Sequence, residues 1–209
     1  EAVDALCERS GISRPVWAGQ GKNVHGEEKL RADAKKALSL ACGLYADALR
    51  LREDPHAERA RQYCLKRRQL TPAVIKDYHI GYAPRFSNWL FTALVTKHGI
   101  DPKVLVSAGL SAVASQSGRH MDFFRGRVVF PVLDLQGGVC GFGGRILPEE
   151  MTNAAAQSAS AEGPKYLNSP DTYFFKKGET LYGLSQHKSN IREKDKAYVV
   201  EGYFDAVGL

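Results

Sequence analysis

Two carboxylates, Glu201 and Asp205, close the run Val199-Val-Glu-Gly-Tyr-Phe-Asp205 and are the residues of this sequence best suited to catalysis. They follow Ala197–Val200, an apolar stretch that reads as a buried strand. Ligands of open α/β sheets gather where strands end, and Mg²⁺ takes oxygen donors while sharing its shell with water and phosphates. The chemistry this suggests is metal-dependent phosphoryl transfer. A carboxylate serving the positive end of a following helix has the same appearance in sequence, so the pair alone leaves both readings open.

A second group is cationic and aromatic. Lys165-Tyr-Leu-Asn168 offers an ammonium, a ring and an amide in four residues, a mixture suited to a single nucleic-acid strand, because cations hold phosphates and a ring gives bases a platform. Arg125, Arg127 and Arg145 fall on or beside two segments of strand character, and period-two alternation would place Arg125 and Arg127 on one face. Lys176 and Lys177 extend the positive set. A solvated basic strand edge would read similarly. Gly141-Phe-Gly-Gly-Arg145 invites a phosphate loop, yet no Gly-Lys-Ser/Thr follows. Tight packing within a strand is the plainer reading.

Composition supports a phosphate-bearing partner without requiring one. The chain has 209 residues, 44% of them hydrophobic and 10% aromatic, and a formal charge of +6; it is long enough to bury a real core. Its four cysteines form no C-x-x-C pair, so they read as reduced thiols rather than zinc ligands or disulfides. None of the six histidines shows metal-ligand spacing. Neither a secretory signal nor a membrane-spanning run is present in the sequence as given.

Around these residues the expected fold is α+β, with a mainly helical first half and mixed strands and helices in the second. Residues 2–10 read as a short helix and 16–26 as a linker. From Glu27 to Arg52 apolar residues recur every three or four positions, the stripe of a long amphipathic helix, with Glu27 and Arg31 one turn apart. Further helices are predicted over 57–68, from Thr71-Pro72 onward, and over 89–97 and 102–108, with an extended stretch at 78–84. Arg127–Asp134 and Val139–Arg145, joined across Gln136-Gly-Gly138, form a hairpin signal. The Ala/Ser-rich segment 148–163 reads as a mobile loop, and Leu181–Leu184 leads into a short helix.

Six ordered motifs then carry a resemblance: Phe124-Arg-Gly-Arg-Val-Val-Phe-Pro131, Gly141–Arg145, Pro164-Lys-Tyr-Leu-Asn-Ser-Pro170, Phe175-Lys-Lys-Gly178, Leu181-Tyr-Gly183 and Val199–Asp205. Together with the upstream matches Ala60-Arg-Gln-Tyr63 and Ile80–Pro84, they resemble bacterial DNA primases of the DnaG family. The resemblance implies a DNA-dependent RNA polymerase that makes short RNA primers for replication, in the cytoplasm at the nucleoid and the fork. It divides the chain into an N-terminal helix and linker (1–26), the N-terminal subdomain of the primase core (27–195, helical to 120 and strand-rich from 121), and the first strand and turn of a Toprim subdomain (196–209), truncated here.

By residue, the resemblance makes Glu201 the acidic residue of the Toprim metal site and Asp205 the aspartate one turn later. It places Arg68, Arg125, Arg127, Arg145, Lys165, Tyr166, Asn168 and Lys177 on a basic groove for single-stranded DNA template and nucleotide phosphates. Mg²⁺ or Mn²⁺ and ribonucleoside triphosphates are implied for the full enzyme. Zinc is implied only for a separate N-terminal module before Glu1, the remaining metal-binding carboxylates beyond Leu209, and the replicative helicase through a C-terminal domain outside this sequence. No membrane partner is implied. The fragment alone is therefore expected not to polymerise, which leaves a non-catalytic single-strand-binding module as one alternative. Another Toprim protein, such as a primase-helicase, topoisomerase or nuclease, is the other. The sequence departs from the family at Gln69, where glycine is common, and in a longer loop at 148–163.

Overall fold

Three of the helices start on the same local signal, a capping oxygen followed by proline. In the computed structural model, which describes residues 24–147 and 164–209, Asp54 accepts hydrogen bonds from the backbone N–H of His56 and Ala57 to open α2 (Pro55–Gln62). Thr71 accepts from Val74 to open α3 (Pro72–Asp77). The Asp101 carboxylate does the same for Lys103 at α5 (Pro102–Ser107). Each cap satisfies a helix N–H that has no partner within the helix, and proline's missing donor costs nothing in the first turn.

The chain forms two compact units, residues 1–33 and 34–209. The long helix α1 (Val24–Arg50) begins in the first, where the expected Glu27–Arg31 ion pair stands at 3.5 Å. It starts three residues before the expected boundary, so the end of the predicted linker is helical. The helix expected at 2–10, the rest of that linker and the loop expected at 148–163 lie outside the described residues. Within the second unit, Ala34, Ala37, Leu38, Ala41, Tyr45, Ala48 and Leu49 form the buried stripe of α1, as its periodicity predicts.

Two helices widen at their C-terminal ends into π turns: α2 over Tyr63–Arg67, and α4 (Trp89–Thr92) over Ala93–Lys97. Each then reverses through a left-handed residue, Gln69 at φ 54° and Gly99 at φ 63°. Gln69 thus stands where glycine would be unstrained. This geometry accounts for the glycine common at that position in the resembled family.

A four-stranded antiparallel sheet carries the second half, in the order β1 (Gly81–Ala83), β4 (Arg127–Leu133), β5 (Val139–Ile146), β6 (Tyr166–Asn168). The expected hairpin is β4–β5, turned through Gly137 at φ 88° and pinned by the Asp134 carboxylate, which accepts from Gln136 and Gly138 N–H. Pro131, inside a central strand, lies past the end of β1, which pairs only with residues 127–129. Its missing donor is therefore not called on from that side. A separate two-stranded sheet, β2 (Ser111–Val113) with β3 (His120–Asp122), falls where the sequence reads as helical up to residue 120.

Both faces of the large sheet are buried. Val129 and Phe142 join α1, α4 and α5 in one hydrophobic cluster, while Val128 and Phe130 join α2 and α7 (Tyr203–Gly208) in another. The chain reaches α7 through α6 (Leu184–Lys194). One expectation fails here. Residues 197–200 form no strand: no described segment pairs with them, and Tyr198 and Val199 are 72% and 88% exposed. An apolar run becomes a buried strand only when a neighbouring strand satisfies its backbone, and none of the described strands lies beside it.

Cys42, Cys64 and Cys140 are free and buried. Burial pushes their thiols up to about 11, 12 and 11 respectively, which keeps them protonated and unreactive. No described helix is long and apolar enough to cross a membrane.

At α4 the capping residue comes from elsewhere in the chain. Asn88 makes no capping hydrogen bond; instead the Asp122 carboxylate of β3 accepts from Leu90 N–H at 2.7 Å and Phe91 N–H at 2.8 Å. Burial raises its pKa to about 6, against those hydrogen bonds and the Arg125 charge, which pull it down. With an unfolded value near ~3.9, the folded state holds the extra proton between about pH 4 and 6, so this group's contribution to stability falls as pH rises through that window. Asp122→Asn keeps an amide oxygen as acceptor and removes the titration. Urea unfolding should show its stability rising relative to the parent by up to about 3 kcal/mol between pH 4 and 7. Parallel pH profiles would exclude Asp122 as the titrating group.

Candidate nucleic-acid interface

Strand register explains how the site is assembled. Arg145 stands directly opposite Tyr166, and Gly143 directly opposite Asn168, on the paired strands β5 and β6. Residues two apart share a face of a strand, so these four form one surface. Across its first pair, the Arg145 guanidinium lies 4.7 Å from the Tyr166 ring centroid, within cation–π range. Over its second pair sits Tyr203 of α7. A side chain at position 143 would collide with the Tyr203 ring, and the Tyr203 hydroxyl donates to the side-chain amide oxygen Oδ1 of Asn168. The glycines of Gly141–Arg145 accordingly make room for aromatic rings, Phe175 at Gly141 and Phe124 at Gly144 as well. That is the close-packing reading of the motif, not a phosphate loop.

From α2 comes the other side of the site. The Arg68 guanidinium lies 4.6 Å from the Phe204 ring centroid, and Nε and Nη2 of Arg68 donate to the Tyr63 hydroxyl at 3.0 and 2.9 Å. The Arg145 Nε reaches the same oxygen at 3.4 Å. Arg145 is 5% exposed, and its Nη1 finds no acceptor among the described residues. Ion pairs among the described residues involve Arg31, Arg50 and Arg61, none of them in this group. Its positive charge is therefore left uncompensated by carboxylates of the described chain.

Of the two acidic residues, Asp205 lies on α7 and Glu201 two residues before it. Phe204 and Val207 are buried in the cluster beneath the arginines, while Glu201 and Asp205 are exposed. The Asp205 carboxylate folds back over Gly202, where a Cβ would lie 2.7 Å from its Oδ2. Among the described residues no third histidine, cysteine, aspartate or glutamate joins them to form a metal-holding cluster. The described donor set thus does not make a metal centre by itself.

Other expected residues are placed differently. Gly126, at φ 60°, breaks the alternation before β4 begins, so Arg125 is exposed while Arg127 is 4% exposed with Nη1 donating to the Pro164 carbonyl at 2.8 Å. They do not share a strand face as expected. Arg127 belongs with Val129 on the sheet face opposite Arg145, and burial, then the charges of Arg125 and Arg145, lower its pKa. Lys165 is exposed, with its carbonyl accepting from Ile146 N–H. Lys177 is exposed too, its N–H held by Asp171. Neither is drawn to the Arg145 group by a contact among the described residues. Tyr63 and Phe204, central to the observed group, escape a reading by residue type. Spacing does not mark Tyr63 either, since it stands five residues before Arg68, a separation that an ordinary helix turns to different sides.

The histidines hold no metal cluster among the described residues. His187 is instead bonded through Nε2 to the Tyr78 hydroxyl at 2.5 Å.

Similarity to known proteins fits this arrangement. Residues 46–188 match the family model described as "DNA primase catalytic core, N-terminal domain". The chain is 38% identical over its full length to the DNA primase of Synechococcus elongatus and 34% identical to that of Pseudomonas aeruginosa. It spans only 28% and 29% of those proteins. Among solved structures, the RNA polymerase domain of Mycobacterium tuberculosis primase DnaG superposes with a TM-score of 0.72 at 32% identity, over 85% of this chain and 52% of that one. The DnaG primase catalytic domain bound to single-stranded DNA superposes at 0.68 and 34% identity, over 86% and 50%. With a family model over well over half its length and relatives that align along the whole of it, the chain belongs to the DNA primase catalytic-core family and carries the N-terminal domain of that core.

Proposed function

We propose that this chain supplies the template-holding part of a primase, the DNA-dependent RNA polymerase that lays down short RNA primers on single-stranded DNA. The observation that carries the proposal is the arginine pair Arg68 and Arg145, unneutralised among the described residues, beside the exposed residue Tyr166 and next to the helix that carries Asp205. Guanidiniums fixed in this way hold phosphodiesters, and the ring offers a stacking surface. A relative solved with single-stranded DNA supports the same reading. Arg125, Arg127, Lys165 and Lys177 contribute further positive potential along the template, with Asn168 held in place by Tyr203. The domain partition read from the sequence, with residues 196–209 opening a Toprim subdomain, belongs to this proposal.

Glu201 and Asp205 are proposed as part of the acidic set that a nucleotidyl-transfer centre uses with Mg²⁺ or Mn²⁺. Ribonucleoside triphosphates are the proposed second substrate, and a replicative helicase the proposed partner of the whole protein at the fork. Because the described residues offer two carboxylates and no completed cluster, the chain is expected to hold template without extending a primer. Fluorescence anisotropy with a labelled oligothymidylate tests this. Log affinity should fall linearly with log salt, by about 0.7 for each phosphate neutralised. Salt-independent binding, or none, would overturn the proposal.

A further inference from the structure

Tyr63 links two cations of the site through a neutral oxygen. Its hydroxyl takes N–H groups from Arg68 at 2.9 and 3.0 Å and from Arg145 at 3.4 Å, and the residue is only 6% exposed. The π turn makes this convergence possible. Over Tyr63–Arg67 the helix widens so that the Arg68 N–H bonds the Tyr63 carbonyl at 3.0 Å, and residues five apart then share one side of the helix instead of diverging. Single π turns of this kind concentrate at functional sites. The ring itself is anchored separately, edge-on to Phe204 at 5.6 Å and 77°.

A carboxylate in this place would hold the arginines more strongly, but it would cancel charge that a phosphate needs. A phenol orients both guanidiniums and leaves their charge in place. Each long arginine side chain would otherwise lose its rotamer freedom on binding; held by Tyr63, it has lost that freedom already on folding.

We propose that Tyr63 is a positioning residue: its hydroxyl presets the half-buried Arg68, with the buried Arg145 charge behind it, to receive the phosphodiester of a single-stranded template. This rests on the reading of the site given above. The test is Tyr63→Phe in the full chain, which keeps the ring and removes the oxygen. Binding of oligothymidylate at 100 mM salt should weaken about tenfold, with a cooperative urea transition whose midpoint is modestly lowered, because the buried Arg145 Nε–H loses its acceptor. In NMR spectra, the Nε–H protons of Arg68 and Arg145 should exchange with solvent faster than in the parent. In a background with Arg68→Met and Arg145→Met, the same substitution should have no further effect on binding.

The outcomes separate cleanly. If the parent chain fails to bind, the template reading falls and takes this inference with it. If the parent binds and Tyr63→Phe binds equally well or more tightly, only the positioning role falls. Equal weakening in the arginine-free background, or arginine protons no more labile than in the parent, would also overturn it, since the hydroxyl would then act through general stability.

Discussion

Replacing Phe130 by alanine should lower the unfolding free energy by about 3–5 kcal/mol, the cost of deleting a fully buried aromatic side chain. Phe130 has no exposed surface and is the ring on which α7 rests. It stacks on Tyr203 at 5.3 Å and 11°, and meets Phe204 edge-on at 4.8 Å and 84°. Tyr182 closes a third side at 6.3 Å. Offset and edge-to-face rings at these distances add to the area term, and the cavity left by alanine opens under a six-residue helix too short to stand without packing. Amide hydrogen exchange should therefore show α7 losing protection before the sheet does. A loss below about 1.5 kcal/mol, or α7 protected as in the parent, would show that the stack is not its anchor.

Arg145→Met is expected to move stability and binding in opposite directions. The guanidinium is buried, lacks an acceptor for Nη1, and adds to the repulsion that helps lower the Arg127 pKa. Replacing a buried, unneutralised charge with an apolar side chain of similar length is commonly neutral or stabilising, here by about 1–3 kcal/mol. Affinity for single-stranded DNA should nevertheless fall at least about tenfold, equivalent to roughly 1.4 kcal/mol, and the salt slope should shrink by about 0.7. Thermal unfolding and anisotropy titrations on the same sample decide it. Lower stability with unchanged binding would make Arg145 a structural residue.

Much of the fold was legible because it rests on local chemistry. Asp54-Pro, Thr71-Pro and Asp101-Pro announce helices through caps a few residues long, and the stripe of α1 and the β4–β5 hairpin follow from periodicity and a glycine turn. The missing pieces depend on partners far along the chain. Asp122 caps a helix more than thirty residues upstream, which no window around Asn88 reveals. Period two fails for Arg125 and Arg127 because a single left-handed glycine resets the alternation. Ala197–Val200 has the composition of a strand, but composition does not supply the neighbour a strand needs.

For the site, residue types pointed to Arg145, Tyr166 and Asn168 together, and strand pairing explains why they meet. Tyr63 was not legible as a participant because an ordinary helix turns residues five apart to different sides. Only the π turn restores the pair.

The docking of α7 also has a consequence for vectorial synthesis. Phe204 and Val207 complete the same hydrophobic cluster as Ala57 and Ala60, so the early helices cannot finish their own core. At about 5–20 residues per second, the ribosome needs on the order of ten to thirty seconds to deliver the α7 residues that cover them. Through that interval the nascent chain carries an open apolar face, and the helices already made must wait, exposed to chaperones or to other nascent chains, for α7 to emerge.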